Sequence, residues 1–132
     1  LGYQPKCGRQ HFLRFNNPKT WQICDEAGME WDSTLGFAET EGFRCGCCDD
    51  FSVFDIENRK KLKLKERPLI FMDTTFSHYQ GSCFGLAKEK IIKMINQSRK
   101  YNGNPVLLWH NSGLNSEFWR QKRDIYEEII SS

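Results

Sequence analysis

Two short apolar runs most constrain what this chain can become. "RPLIFMDTT" carries Leu69, Ile70, Phe71 and Met72 without a polar break and stops at Asp73. "NPVLLWHNSG" carries Val106, Leu107, Leu108 and Trp109, then stops at His110 with the polar turn Asn111-Ser112-Gly113 behind it. Consecutive apolar residues suit strands covered on both faces, as in a parallel sheet. Parallel strands need a long crossover between them. Residues 84–100 supply one, with Ala87, Ile91, Met94, Ile95 and Ser98 on a single helical stripe and lysines opposite. The carboxyl ends of parallel strands are where α/β folds keep their chemistry, which makes His110 a candidate catalytic group.

The rest of the chain extends this pattern. Residues 6–15, "KCGRQHFLRF", read as a strand or extended segment. "NNPKTWQICDEAG" reads as a helix, with Asn17 as cap, Pro18 at the first helical position and Gly28 at the exit. Trp21, Cys24 and Ala27 fall on its apolar side. "MEWDST", residues 29–34, predicts a short strand. Residues 35–67 read as a long irregular region broken by Gly36, Gly42 and Gly46. Strand 105–110 follows the helix at 84–100. A last helix over about 116–130 starts at Ser116 and turns Phe118, Trp119, Ile125, Tyr126, Ile129 and Ile130 inward. Strands alternating with helices imply a parallel sheet with right-handed crossovers. The expected fold is therefore α/β, a single domain over 1–132 with about four parallel strands and three helices. An open sheet and part of a (β/α) barrel fit equally.

Composition narrows the function classes. Apolar residues make up 39% of the 132 and charged residues 27%, which is the balance of a folded globular chain. Ten Phe, four Trp and four Tyr leave aromatic side chains to spare for a site or an interface. The net charge of +2 is too small to argue for nucleic acid by itself. No apolar run approaches the roughly 20 residues that cross a bilayer, and no signal peptide is visible. The chain begins at Leu1 and not at Met, as expected of a processed product, an excised fragment or part of a longer protein. Cys45, Cys47 and Cys48 crowd into "RCGCCDD", while Cys7, Cys24 and Cys83 are scattered. The C-x-C-C spacing is not a zinc pattern, so the cysteines read first as reduced thiols, structural or incidental, with a disulfide and metal or redox use as alternatives; reduced thiols fit a cytoplasmic protein better than a secreted one.

Three stretches in order carry a resemblance. "GRQHFLRF" is similar to a motif in which Arg is followed closely by an aromatic residue. "TWQICDEAGMEWDSTLGF" with "GFRCGC" is similar to the helix and Asp-Ser strand end that come next. "PVLLWHNS" is similar to a Leu-x-His motif, here Leu108-Trp109-His110. With "RPLIFMDTTF" they cover nearly the whole chain, which resembles the C-terminal half of a polysaccharide deacetylase domain, the carbohydrate esterase fold related to chitooligosaccharide deacetylases. The resemblance implies a partial (β/α) barrel and metal-dependent hydrolysis of N-acetyl groups on carbohydrate. It implies His110 as the acid that protonates the leaving amine and Arg9 as the guanidinium that holds a catalytic Asp. Asp32, Arg44, Leu108 and Trp109 would shape the substrate pocket.

The chain departs from the family pattern in two ways. The family's metal-binding Asp and its His-x3-His pair do not occur: the histidines are His11, His78 and His110, and no two are four apart. Gln10 and His11 stand where the family usually has Pro. The divalent metal expected of the full domain, zinc or similar, is therefore not expected on this chain alone, which predicts an incomplete and inactive unit. The resemblance implies an acidic partner for His110 from the missing or differing part of the domain. Asp32 and Asp73, which end strands, read first as turn caps. Arg9 has a surface role as its bland alternative, and His110 a structural one. Two other functions stay open: a half-barrel interaction module that forms a homo-oligomer or docks on an upstream half-domain through an open sheet edge, and nucleic-acid binding through "ENRKKLKLKERP". Six basic residues lie between Arg59 and Arg67 there, and a solvated edge is the plainer reading of them.

Overall fold

The computed structural model describes residues 2–76, 84–111 and 123–131. The expectations placed on His78, Cys83, Ser112, Gly113, Ser116, Phe118, Trp119 and the Ile125 side chain lie outside the described residues. The elements in chain order are β1 (Cys7–Gly8), a 3-10 turn (His11–Leu13), α1 (Lys19–Glu26), β2 (Trp31–Asp32), β3 (Phe51–Asp55), β4 (Lys60–Glu66), β5 (Leu69–Met72), α2 (Phe84–Lys100), β6 (Val106–Leu108) and α3 (Arg123–Ser131). The fold is mixed α/β.

A four-stranded sheet has the order β1-β2-β4-β3. β1 runs parallel to β2 and β2 parallel to β4, while β3 is antiparallel to β4. β5 and β6 form a parallel pair of their own. Beyond the strands, Arg67 N donates to Asp32 O at 2.8 Å, which extends the β2–β4 pairing, and Leu69 N of β5 donates to Leu35 O in the segment after β2 at 3.0 Å. The parallel pairs match the alternating strand-and-helix pattern. The described strands show no closed barrel, and the β3–β4 pair makes the sheet antiparallel in part.

That pair is the main correction to the sequence reading, in which 35–67 is irregular. Residues 60–66, "KKLKLKE", alternate strictly: Leu62, Leu64 and Glu66 are buried, and Lys61, Lys63 and Lys65 exposed. Period-two alternation is the signature of a half-buried strand. The lysines are solvated, as expected, but their strand lies between β2 and β3 and not at an edge. The hairpin turn is tied by Asp55, whose carboxylate accepts from Glu57 N, Asn58 N, Asn58 Nδ2 and Gln22 Nε2 at 2.8–3.1 Å. Those donors, Asn58 first, hold it down at a pKa of about 2.

The first strand is also shorter than expected. Only Cys7 and Gly8 pair, because the chain turns at His11–Leu13. α1 begins one residue later than expected: Pro18 is its cap, and no Asn17 side-chain cap bond forms. Ala27 is exposed, and Gln22 is buried in its stead beside Trp21 and Cys24. The exit at Gly28 stands as read. Gly28 has φ +74, Met29 N donates to Cys24 O at 3.1 Å, and Gly28 N to Asp25 O at 2.9 Å. This is the Schellman closure, which needs a left-handed residue. Gly28→Ala is expected to destabilise the chain by about 1 kcal/mol, read as a lower urea midpoint with an unchanged slope.

Two apolar clusters result. Trp21, Cys24, Val53, Leu62 and Leu64 pack between α1 and the four-stranded sheet. Ile70, Phe71, Phe76, Ala87, Ile91, Ile95 and Ile129 pack α2 and α3 on the β5–β6 pair. No described helix is long and apolar enough to cross a membrane. The described cysteines, Cys7, Cys24, Cys45, Cys47 and Cys48, are free thiols. Burial pushes Cys45 up to about 11 and raises Cys47, which opposes thiolate chemistry there.

Candidate active site

The site grows from the register of β5 on β6. Met72 lies opposite Leu108, so the residues after the two strands emerge side by side. Asp73 follows β5 at once, and His110 stands two residues past β6. Asp73 is buried, and its two oxygens grip one residue: Oδ2 accepts from His110 N at 3.1 Å, and Oδ1 lies 2.5 Å from His110 Nδ1. A carboxylate on Nδ1 fixes the ring direction and leaves Nε2 as the nitrogen free to exchange a proton. The His110 side chain is 43% exposed, open enough to meet a ligand.

His110 lines a cavity of about 670 Å³. Across it stand Arg9, His11 and Phe12 from the segment after β1, while Met72 and Leu108 form apolar wall. The cavity thus brings Arg9, Leu108 and His110 together from distant parts of the chain. Arg9 is anchored from behind: its Nε donates to Ser33 O at 2.8 Å and its Nη2 to Ser33 Oγ at 3.1 Å. Burial lowers its pKa, and the Asp32 and Glu66 carboxyls oppose that shift.

Behind Arg9 lies a buried carboxyl pair. Asp32 and Glu66 are cross-strand partners between β2 and β4. Asp32 Oδ1 accepts the Thr34 hydroxyl at 2.7 Å, and Thr34 Oγ1 accepts from Gln10 N at 3.0 Å. Glu66 accepts from Trp21 Nε1 at 2.9 Å and from Leu35 N at 3.0 Å. Burial raises the Glu66 carboxyl to about 8; the charge of Asp32 adds to this, and the Trp21 bond works against it.

Other expected pocket residues stand elsewhere. Arg44 Nη1 donates to Gly36 O at 3.0 Å and braces the loop after β2, away from the cavity lining. Trp109 points into the core, 6.2 Å from the Phe71 ring and 5.0 Å from that of Tyr126. Its neighbour His110 lines the cavity instead. Asp32 is fully buried beneath the cavity and does not line it. Phe76 is core, 5.2 Å from Phe71. Trp31 lies under the Arg67 guanidinium, 5.0 Å from its ring centroid.

Asp73 departs most from its sequence-based expectation, which prefers a turn cap and names no residue of this chain as the partner of His110. Asp73 is that partner. Its signal was the likeness of two apolar runs, each ending in an ionisable residue. Glu66 also carried one, since it continues the inward parity of Leu62 and Leu64. Among the described residues, no three His, Cys, Asp or Glu side chains converge as a metal site. No family model, curated protein or solved structure matches the chain.

Proposed function

We propose that this chain is the acid-bearing part of a carbohydrate deacetylase-like domain, a partial (β/α) barrel that takes part in removing N-acetyl groups from an amino sugar. The observation that carries the reading is the Asp73–His110 pair opening on a cavity that also holds Arg9. Amide cleavage expels an amine that must be protonated as it leaves. His110, held through Nδ1 by Asp73, presents Nε2 to the cavity as that proton donor. The Asp73 carboxylate balances the ring's charge while Nε2 carries the proton. The Arg9 guanidinium, anchored on Ser33, offers a planar fork for a carboxylate facing it. Leu108 and Met72 supply an apolar wall that suits an acetyl methyl group.

The roles proposed for these residues are proton donation and carboxylate binding. The reading expects the sequence encoded ahead of Leu1 to carry an Asp-Asp pair and a His-x3-His pair. The 132-residue chain mixed with zinc and an N-acetylated oligosaccharide is expected to release no acetate. In the natural-length protein His110→Ala is expected to cut acetate release about 10²–10⁴-fold, the usual contribution of a positioned acid. Release that is undiminished by His110→Ala would sink the reading.

A further inference from the structure

We infer that Phe12 is a stacking platform for a pyranose ring at the mouth of the cavity, a residue that sets ligand specificity; the inference rests on the carbohydrate reading above. Phe12 lines the cavity, yet its side chain is 76% exposed. Its backbone has φ 59, and that of Leu13 has φ 51. Two successive residues with a Cβ thus occupy the left-handed region, where side chain and carbonyl crowd each other. Strain of this kind persists only where the surroundings impose it, and it clusters at ligand sites.

The surroundings do impose it. Gln10 N is held by Thr34 Oγ1 at 3.0 Å, and Phe15 packs edge-on against Trp21 at 4.9 Å. Between these anchors the chain closes a tight turn through Leu13 N to Gln10 O at 3.0 Å. The turn sends Phe12 outward. The strained backbone gains no burial for that ring, so core packing does not account for it. His11 lies 4.1 Å away at 39°, and the Arg14 guanidinium stands 5.7 Å from the ring centroid. Both restrain the ring's direction while most of it stays open.

The chemistry of the cavity selects the occupant. The lining combines polar His110 and Arg9 with apolar Leu13, Met72 and Leu108. A pyranose has the matching character, with hydroxyls around its edge and C–H bonds on its face. An aromatic face carries the negative part of the ring quadrupole and attracts such C–H bonds. Leucine offers similar bulk without that face, which separates stacking from plain apolar contact.

The test is calorimetric titration of the 132-residue chain with an N-acetylglucosamine tetramer and with cellotetraose, which has no acetamide. Phe12→Ala and Phe12→Leu are expected to weaken both ligands about tenfold, and Phe12→Tyr less than about twofold. Phe12→Gly is expected to weaken binding equally while raising the melting temperature, because glycine relieves the strain. Unchanged affinity in Phe12→Ala and Phe12→Leu overturns the inference, as does a lower melting temperature in Phe12→Gly. So does absence of binding of both ligands to the unaltered chain. The deacetylase reading is scored separately. His110→Ala should weaken the acetylated ligand selectively, and that result stands even if every Phe12 variant binds normally.

Discussion

If the proposed deacetylase function holds, Asp73→Asn in a protein carrying the whole domain is expected to lower turnover roughly 10²–10⁴-fold, the range that a general acid and its orienting carboxylate supply. The physical cause is the identity of the group facing Nδ1. A carboxylate only accepts, so it fixes the proton on Nδ1 and leaves Nε2 to work in the cavity. An asparagine amide can instead donate to Nδ1 and move the proton to Nε2 in the neutral ring, with no negative charge to balance the protonated one. The loss should fall on kcat with KM little changed, because Asp73 is buried and stands behind His110. NMR offers an independent readout: the proton shared by His110 Nδ1 and Asp73 should resonate far downfield and vanish in the variant. A kcat within about twofold of the unaltered protein would end the role assigned to this pair. A melting temperature measured alongside separates lost chemistry from lost folding.

Glu66→Gln is expected to change how stability depends on pH. The Glu66 carboxyl titrates at about 8 in the folded chain, against an ordinary value of 4.5. Between those values the folded state holds a proton that the unfolded state has released. Stability from this group is therefore complete below pH 4.5 and is lost as pH rises through about 8. The drop is at most about 5 kcal/mol, from the distance between the two titration points. The glutamine amide of the variant carries no proton to lose, so that slope should vanish. One amide oxygen cannot serve both Leu35 N and Trp21 Nε1 as well as two carboxyl oxygens do, which costs about 1 kcal/mol. The variant should thus be less stable than the unaltered chain at about pH 5 and more stable at about pH 9, with the curves crossing between. Urea midpoints at about pH 5, 7 and 9 measure this. Parallel curves would show that Glu66 ionises normally and that the buried pair is misread. Asp50, held low by the Arg67 fork, and Asp55 act in a separate window, losing stability only as pH falls below about 4.

How much could be read ahead of the structure follows from the range of each interaction. The α2 stripe Ala87, Ile91, Ile95 and Ser98 is buried as its spacing requires, because helix periodicity is local. Gly28 ends α1 because a left-handed exit needs no partner beyond the last turn. The runs at 69–72 and 106–108 are parallel strands; the first is buried on both faces, as an unbroken apolar run suits, and the second is half-buried. The hairpin of β3 and β4 was also legible, in the parity of Leu62 and Leu64, but the charge of the intervening lysines hid it.

The α/β class, the two apolar strands, the crossover helix and His110 as a candidate catalytic group at a strand end all came from the amino-acid order, since they depend on periodicity and on the side chain present. Other features exist only in three dimensions. Asp73, and not a distant group, holds His110; Arg9 reaches the same cavity; Trp109 turns to the core; and Glu66 shares a buried strand register with Asp32. Each of these joins residues far apart in the chain. Strand register and sheet order choose the partners, and a one-residue slip would send every side chain to the opposite face.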